Sequence, residues 1–268
     1  MIFGPDRLRA KNAALSLLKR CGIERPAELE LELVAWKECN ALVVERPVQG
    51  CDARVNGGNG KHRLIVINTQ TEPETRRRFS LAHEIGHIEL HPDVNQLALC
   101  TMKNLFWYNQ VRPEEREADL FATELLMPEP WFQPRCDESE PSFELIEHLA
   151  GDFNTSLTAT AIRYIEFCPY TCALVGSRNG RITSTIMSDS FRSGVRGGVR
   201  EGRLEPESYA ADFFTDPKRA TTTMKKNMSP RWLNDGRRYA DAMIREQSRR
   251  IGSYGVLTLL WLDDLEEE

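Results

Sequence analysis

The run His83-Glu84-Ile85-Gly86-His87 combines residue types and spacing that fit metal-dependent hydrolysis. Two histidines four apart on a helix project from one face about one turn apart, so their imidazoles converge on a single ion. Glu84 is offset by one residue, which sets its carboxylate beside the ion, where it can take a proton from a water held there. A catalytic site of this type takes a third protein ligand and keeps its fourth position open. Glu115 is the choice, in the first turn of a later helix, with Glu114 as an alternative. Asp119 lies one turn beyond Glu115 on the same face, placed to accept the outer N–H of a ligand histidine. Zn2+ suits this donor set, and Mn2+ is a second candidate because affinity alone does not separate the divalent ions.

The remaining histidines carry less. His91 lies one turn past His87 but directly precedes Pro92, which predicts packing at a helix end rather than ligation. His62 and His148 have no partner at ligand spacing and read as surface or structural residues. Cys168 and Cys172 are four apart, yet Pro169 separates them and no second pair accompanies them, so a zinc knuckle is not expected. An oxyanion donor is usually needed beside the metal, and Tyr108, Arg112 and His91 are the candidates.

These residues need helices at two places, and the apolar pattern supplies them. Glu72-Pro73-Glu74 opens a helix that continues through Phe79, Leu81, Ala82, Ile85, Ile88 and Leu90 to His91-Pro92. A second starts at Pro113, with Glu114 and Glu115 in its first turn, and stops before Pro128. Upstream, Asp6–Arg20 and the stretch from Arg25-Pro26 to Cys39 read as amphipathic helices. Ala41–Val44 and Leu64–Ile67 read as strands, the latter closing a hairpin whose turn is rich in Gly and Asn. The Leu64–Asn68 strand, just before the active helix, is expected to offer an edge to an extended peptide substrate.

Trp131–Pro141 is proline-rich and acidic and reads as a linker, and Ser142–Phe167 as two short helices joined by a turn. An ordinary helical hairpin is favoured over a DNA-reading helix-turn-helix, because neither helix clusters Arg, Lys, Asn or Gln. Cys172–Gly176 and Arg181–Ile186 flank a hairpin turn, Arg238–Arg250 resembles a basic helix, and Val256–Trp261 a closing strand.

The chain has 268 residues, 41% of them hydrophobic, and a net charge of −5, enough apolar content for one large core or two modest ones. No apolar run approaches the roughly 18 residues of a membrane helix, and no signal peptide is visible at Met1, so a cytoplasmic protein with no membrane partner is expected. Seven scattered cysteines fit reduced thiols. Pro113–Asp152 carries twelve acidic residues against two arginines, and Ser190–Arg250 fourteen basic against eight acidic. The basic residues are dispersed, so a solvated surface is preferred to a polyanion site, and direct DNA binding stays a secondary reading.

The run from Arg76 to His87, preceded by Ile65-Val66-Ile67-Asn68 and followed by the run from Glu115 to Pro128, resembles the ImmA/IrrE family of zinc metallopeptidases. The resemblance covers roughly residues 5 to 130, and the helical hairpin with Cys172–Ser190 is similar to the C-terminal part of many members. It implies that His83 and His87 are zinc ligands, Glu115 the third ligand and Glu84 the catalytic base. Asp119 stands where Asn is also common. The implied activity is endoproteolysis of a helix-turn-helix transcriptional repressor, which would derepress stress or mobile-element genes. Some members carry a GAF-type sensory domain beyond this region. The expected fold is α+β: a zincin-like metallopeptidase domain (1–135), a helical, helix-turn-helix-like hairpin (136–168) and a C-terminal α+β region (169–268), sensory or substrate-recognising. Two other function classes remain: a non-proteolytic DNA-binding or sensor regulator, and an antitoxin-like binding protein with a zinc site.

Overall fold

A computed structural model describes residues 5–56, 62–92, 112–216, 218–222, 225–228, 231–234, 243–252 and 255–262. The chain divides into two compact units, one formed by Met1–Phe132 with Ala150–Ser156, the other by Gln133–Leu149 with Leu157–Glu268.

In the first unit, α1 (Pro5–Cys21) buries Ala10, Ala14, Leu17 and Leu18 along one stripe. The helix expected from Arg25 is interrupted. Pro26–Glu28 forms a short 3-10 turn, Leu29 and Glu30 are extended, and α2 runs only from Leu31 to Cys39. Asn40 ends α2 in the left-handed region at φ 49°, a conformation asparagine tolerates at a helix C-terminus.

A three-stranded mixed sheet follows, in the order β1 (Ala41–Arg46), β3 (Arg63–Asn68), β2 (Ala53–Asn56). β1 runs parallel and β2 antiparallel to β3, so β3 is the central strand. This overturns the expectation that Leu64–Asn68 presents an edge. Its continuous run Ile65-Val66-Ile67 is buried because both faces and both neighbours are covered, as an unbroken apolar strand without alternation requires.

α3 (Glu74–Leu90) and α4 (Pro113–Leu126) pack against each other and against α1 and the sheet. Every residue of α3 from Phe79 to Ile88 is buried, so this is a core helix rather than a surface one. α4 starts on Pro113 at its first turn, where a missing N–H costs nothing. The segment expected as a linker is ordered instead, as α5 (Glu129–Phe132) and a 3-10 turn at Gln133–Asp137, with Phe132 and Cys136 buried. The expected pair of helices is present as α6 (Phe143–Phe153) and α7 (Leu157–Phe167).

The second unit contains a five-stranded antiparallel sheet in the order β5-β4-β8-β7-β6. Its strands are β4 (Thr171–Arg178), β5 (Arg181–Met187), β6 (Lys225–Met228), β7 (Met243–Arg250) and β8 (Val256–Leu262). Asn179-Gly180, both at positive φ, turn the β4–β5 hairpin. α8 (Asp189–Gly194) follows, capped by Ser188, whose hydroxyl accepts from the Phe191 N–H. Residues 243–250 are therefore a strand and not part of a basic helix. β7 is paired on both sides, and its buried polar run Glu246-Gln247-Ser248 is satisfied by distant partners that no local pattern announces.

Candidate metal centre

Helical geometry brings His83 and His87 onto the face of α3 that meets α4. Their Nε2 atoms lie 3.0 Å apart. The first turn of α4 lays the Glu115 carboxylate across both rings, at 3.3 Å from His83 Nε2 and 3.5 Å from His87 Nε2. One atom from each of the three residues falls within 4.8 Å of the others, and His83 and His87 are buried. Four ligands at about 2.0–2.2 Å in a tetrahedron stand roughly 3.3–3.6 Å apart, close to the spacings found here. Three lone-pair donors facing one another in a desolvated place repel unless a cation or shared protons sit among them, so the donor set fits a borderline divalent ion such as zinc.

Asp119, one turn along α4 from Glu115, places Oδ1 2.8 Å from His83 Nδ1. The carboxylate accepts the Nδ1–H, which leaves the Nε2 lone pair of His83 aimed at His87 and Glu115. Burial pushes the Glu115 carboxyl up, but when His83 and His87 are protonated their ring N–H groups outweigh it and hold the carboxyl well below the usual carboxylate range. Arg112 adds an ion pair, with Nη2 3.0 Å from Glu115 Oε1, while its side chain remains 67% exposed.

Glu84 is wholly buried beside this cluster. Cys51, just before β2, is near enough that the Glu84 charge adds to burial in raising the thiol's pKa. Glu84 thus lies one residue along α3 from His83 and within electrostatic reach of Cys51. Gly86 faces the other way along the helix contact. A Cβ there would lie 2.9 Å from Phe121 Cδ1 and 3.2 Å from the Ala118 carbonyl oxygen, so glycine permits the approach of α3 to α4 that places Glu115 over the histidines.

The other candidates take different partners. His91 turns its Nε2 toward Glu117 at 3.3 Å, and burial favours its neutral form. Glu114 is exposed on α4. His62 stacks on Trp36 and meets Asn40 Oδ1 at 2.8 Å, and His148 is exposed on α6. Tyr108 lies outside the described residues. Among the described oxyanion candidates, Arg112 pairs with Glu115, while the His91 ring lies 5.9 Å from that of His87. One contributor has no signal in the sequence: Arg9 of α1 pairs with Glu117 at 2.9 Å and donates to the Leu90 carbonyl, pinning the end of α3 to α4 across more than a hundred residues of chain.

A family model described as the IrrE N-terminal-like domain, of the M78 peptidases, matches residues 37–164. The chain is 28% identical over 171 residues to the radiation response metalloprotease IrrE of Deinococcus deserti, covering 59% of each chain. It is 33% identical over 91 residues to a protein of Bacillus phage phi105 titled uncharacterized immunity region protein 2, covering 34% of this chain and 54% of that one. The chain thus spans somewhat more than half the length of these two relatives. A solved Mycobacterium tuberculosis transcriptional regulator superposes with a TM-score of 0.60 at 13% identity, covering 95% of this chain and 76% of that chain, a likeness of fold. Among the described residues, no helix is long and apolar enough to cross a membrane.

Proposed function

Residues 37–164 match the IrrE N-terminal-like family, and from that premise we propose that this chain is a zinc-dependent endopeptidase that cuts a helix-turn-helix transcriptional repressor. The observation that carries the peptidase reading is the convergence of His83, His87 and Glu115 with Glu84 buried beside them. His83 and His87 through Nε2, and Glu115 through its carboxylate, would hold the ion. When bound, zinc acts as a Lewis acid that makes a water nucleophilic at neutral pH and polarises a peptide carbonyl.

The chain's own groups do the rest. Asp119 orients His83 through Nδ1, and Arg112 neutralises part of the Glu115 charge. Glu84 takes the proton from the attacking water and hands it to the departing amide nitrogen. The Arg112 guanidinium lies close enough to the metal-binding carboxylate to donate to the developing oxyanion. β2, whose outer side is unpaired among the described residues, replaces β3 as the strand on which an extended peptide adds.

A regulatory substrate is supported by the relatives' names, one a radiation response metalloprotease and one an immunity region protein of a phage. The first name ties a metalloprotease to a stress response, and the second places its protein in a phage immunity region. Comparison of new protein N-termini in host cells expressing the wild type or Glu84→Gln tests the whole reading. The variant should keep its metal and lose cleavage by about 10²–10⁴-fold, the range a general base supplies. New termini confined to the wild type and lying in a helix-turn-helix repressor are the expected result. Identical termini from two folded, metal-loaded proteins would leave a binding role in place of catalysis.

A further inference from the structure

We propose that Cys168 and Cys172 form a redox-active dithiol that closes to a disulfide when the protein meets a peroxide. Cys168 follows the last residue of α7 and Cys172 is the second residue of β4, and their sulfurs lie 3.5 Å apart in the second unit. A disulfide needs about 2.05 Å, so the sulfurs close by roughly 1.5 Å, a movement that side-chain rotation with a small shift of the five-residue turn can supply. The β4 end is fixed. The Cys172 N–H donates to Ser188 Oγ at 3.1 Å, and its carbonyl accepts from the Ser188 N–H at 2.9 Å. The movement therefore falls to Cys168, at the end of a helix.

The surroundings of the two sulfurs differ in the way a nucleophile and its resolving partner need. Cys168 is the more exposed of the pair, at 8% against 0% for Cys172. The Cys172 thiol lies against the Cys168 sulfur, and together with the Tyr164 hydroxyl and the Tyr170 N–H it draws the Cys168 pKa down against the effect of burial. Tyr164 is fully buried, and its hydroxyl makes no hydrogen bond among the described residues, which leaves it available as a donor to a thiolate. Burial pushes the Cys172 thiol far up, so it stays protonated. Cys136, buried nearby, is held as a thiol by a pKa pushed up to about 12.

The chemistry balances with a peroxide as oxidant. The Cys168 thiolate attacks one peroxide oxygen, the O–O bond breaks, and the departing alkoxide or hydroxide takes up a proton as alcohol or water. The Cys172 sulfur then attacks the sulfenic sulfur, forms the S–S bond and releases a second water as its own proton leaves with the hydroxide. Two thiols are oxidised by two electrons and one peroxide is reduced.

Trypsin cuts after Arg163 and Arg178, so one peptide, residues 164–178, carries both cysteines. Full-length protein treated with hydrogen peroxide, then denatured, alkylated and digested without reductant, should yield that peptide short of two hydrogens and closed to the alkylating agent. Dithiothreitol should reverse this. In Cys172→Ala the reaction should stop at a sulfenic acid on Cys168 that dimedone traps, Cys168→Ala should show neither product, and Cys136→Ala should behave as wild type. The proposal falls if both thiols of 164–178 are alkylated at peroxide doses that oxidise the more exposed Cys21. It also falls if the bond joins Cys168 to Cys136, or if dimedone marks Cys172. The wild-type peptide decides the matter even if a variant fails to fold.

Discussion

A single hydrogen bond fixes which lone pair of His83 enters the metal-binding cluster, and the worth of that bond is measurable. Without Asp119 the ring is free to take its other tautomer, which places an N–H rather than a lone pair among His87 and Glu115. Asp119→Ala should weaken metal binding about 10–100-fold, the usual cost of removing the carboxylate behind a ligand histidine, while Asp119→Asn, which keeps an acceptor oxygen, should lose less. Competition with a chromophoric chelator reads both values, and an alanine variant with wild-type affinity would mean that the bond does not set the tautomer. At this scale the sequence was readable where helix geometry alone fixes distance, as for His83, His87 and the Glu115–Asp119 pair. It was silent on Arg9, whose grip on Glu117 and Leu90 depends on how α1 crosses the pair α3 and α4.

The approach of two helices decides whether those residues meet at all. Gly86 lets α3 settle against Phe121 of α4, and the added methyl of Gly86→Ala must displace a fully buried ring and a backbone carbonyl. The variant should be destabilised by about 1–3 kcal/mol, as overpacked cores are, and should bind metal more weakly because Glu115 is carried away from the histidines. Denaturant midpoints and chelator competition check the two effects, and adding Phe121→Leu should recover part of both. The sheet makes a separate prediction for substrate. Alternate amides of β2 face β3 and the open side, so one of Arg54→Pro and Val55→Pro removes an outward N–H. That variant should raise KM for the cleaved repressor and keep its metal, and an unchanged KM in both variants would remove β2 as the substrate edge. Elements with strong local signals, such as α3 and α4 with proline at their starts, are legible from sequence. β7 is not. Its Glu246 accepts from the Trp232 indole N–H at 2.9 Å, its Gln247 from the Phe143 N–H at 2.7 Å, and its Ser248 pairs with Thr258 at 2.9 Å. Buried polar residues satisfied from so far along the chain leave a run that looks solvated and basic until the partners are known.

Each compact unit carries an apolar cluster of its own, which implies two units of stability, and the candidate metal site lies in only one of them. The apolar cluster around α1, α3, α4 and the mixed sheet lies in the unit that holds His83, His87 and Glu115, whereas the cluster with Phe191, Trp232, Ile244 and Leu260 lies in the other. A ligand that binds only the folded form stabilises it by about 2.7 kcal/mol at a hundred times its dissociation constant. That gain reaches the second unit only to the extent that the two unfold together. Calorimetry of the full chain should therefore show two transitions, of which zinc raises one and a chelator lowers the same one. Glu115→Gln, which removes a ligand while keeping the shape of the side chain, should reduce the zinc-dependent shift of that transition and leave the other in place. A single transition that moves as a whole with metal would show instead that occupancy of the α3–α4 site governs the folding of all 268 residues, and the two cores would then act as one cooperative body.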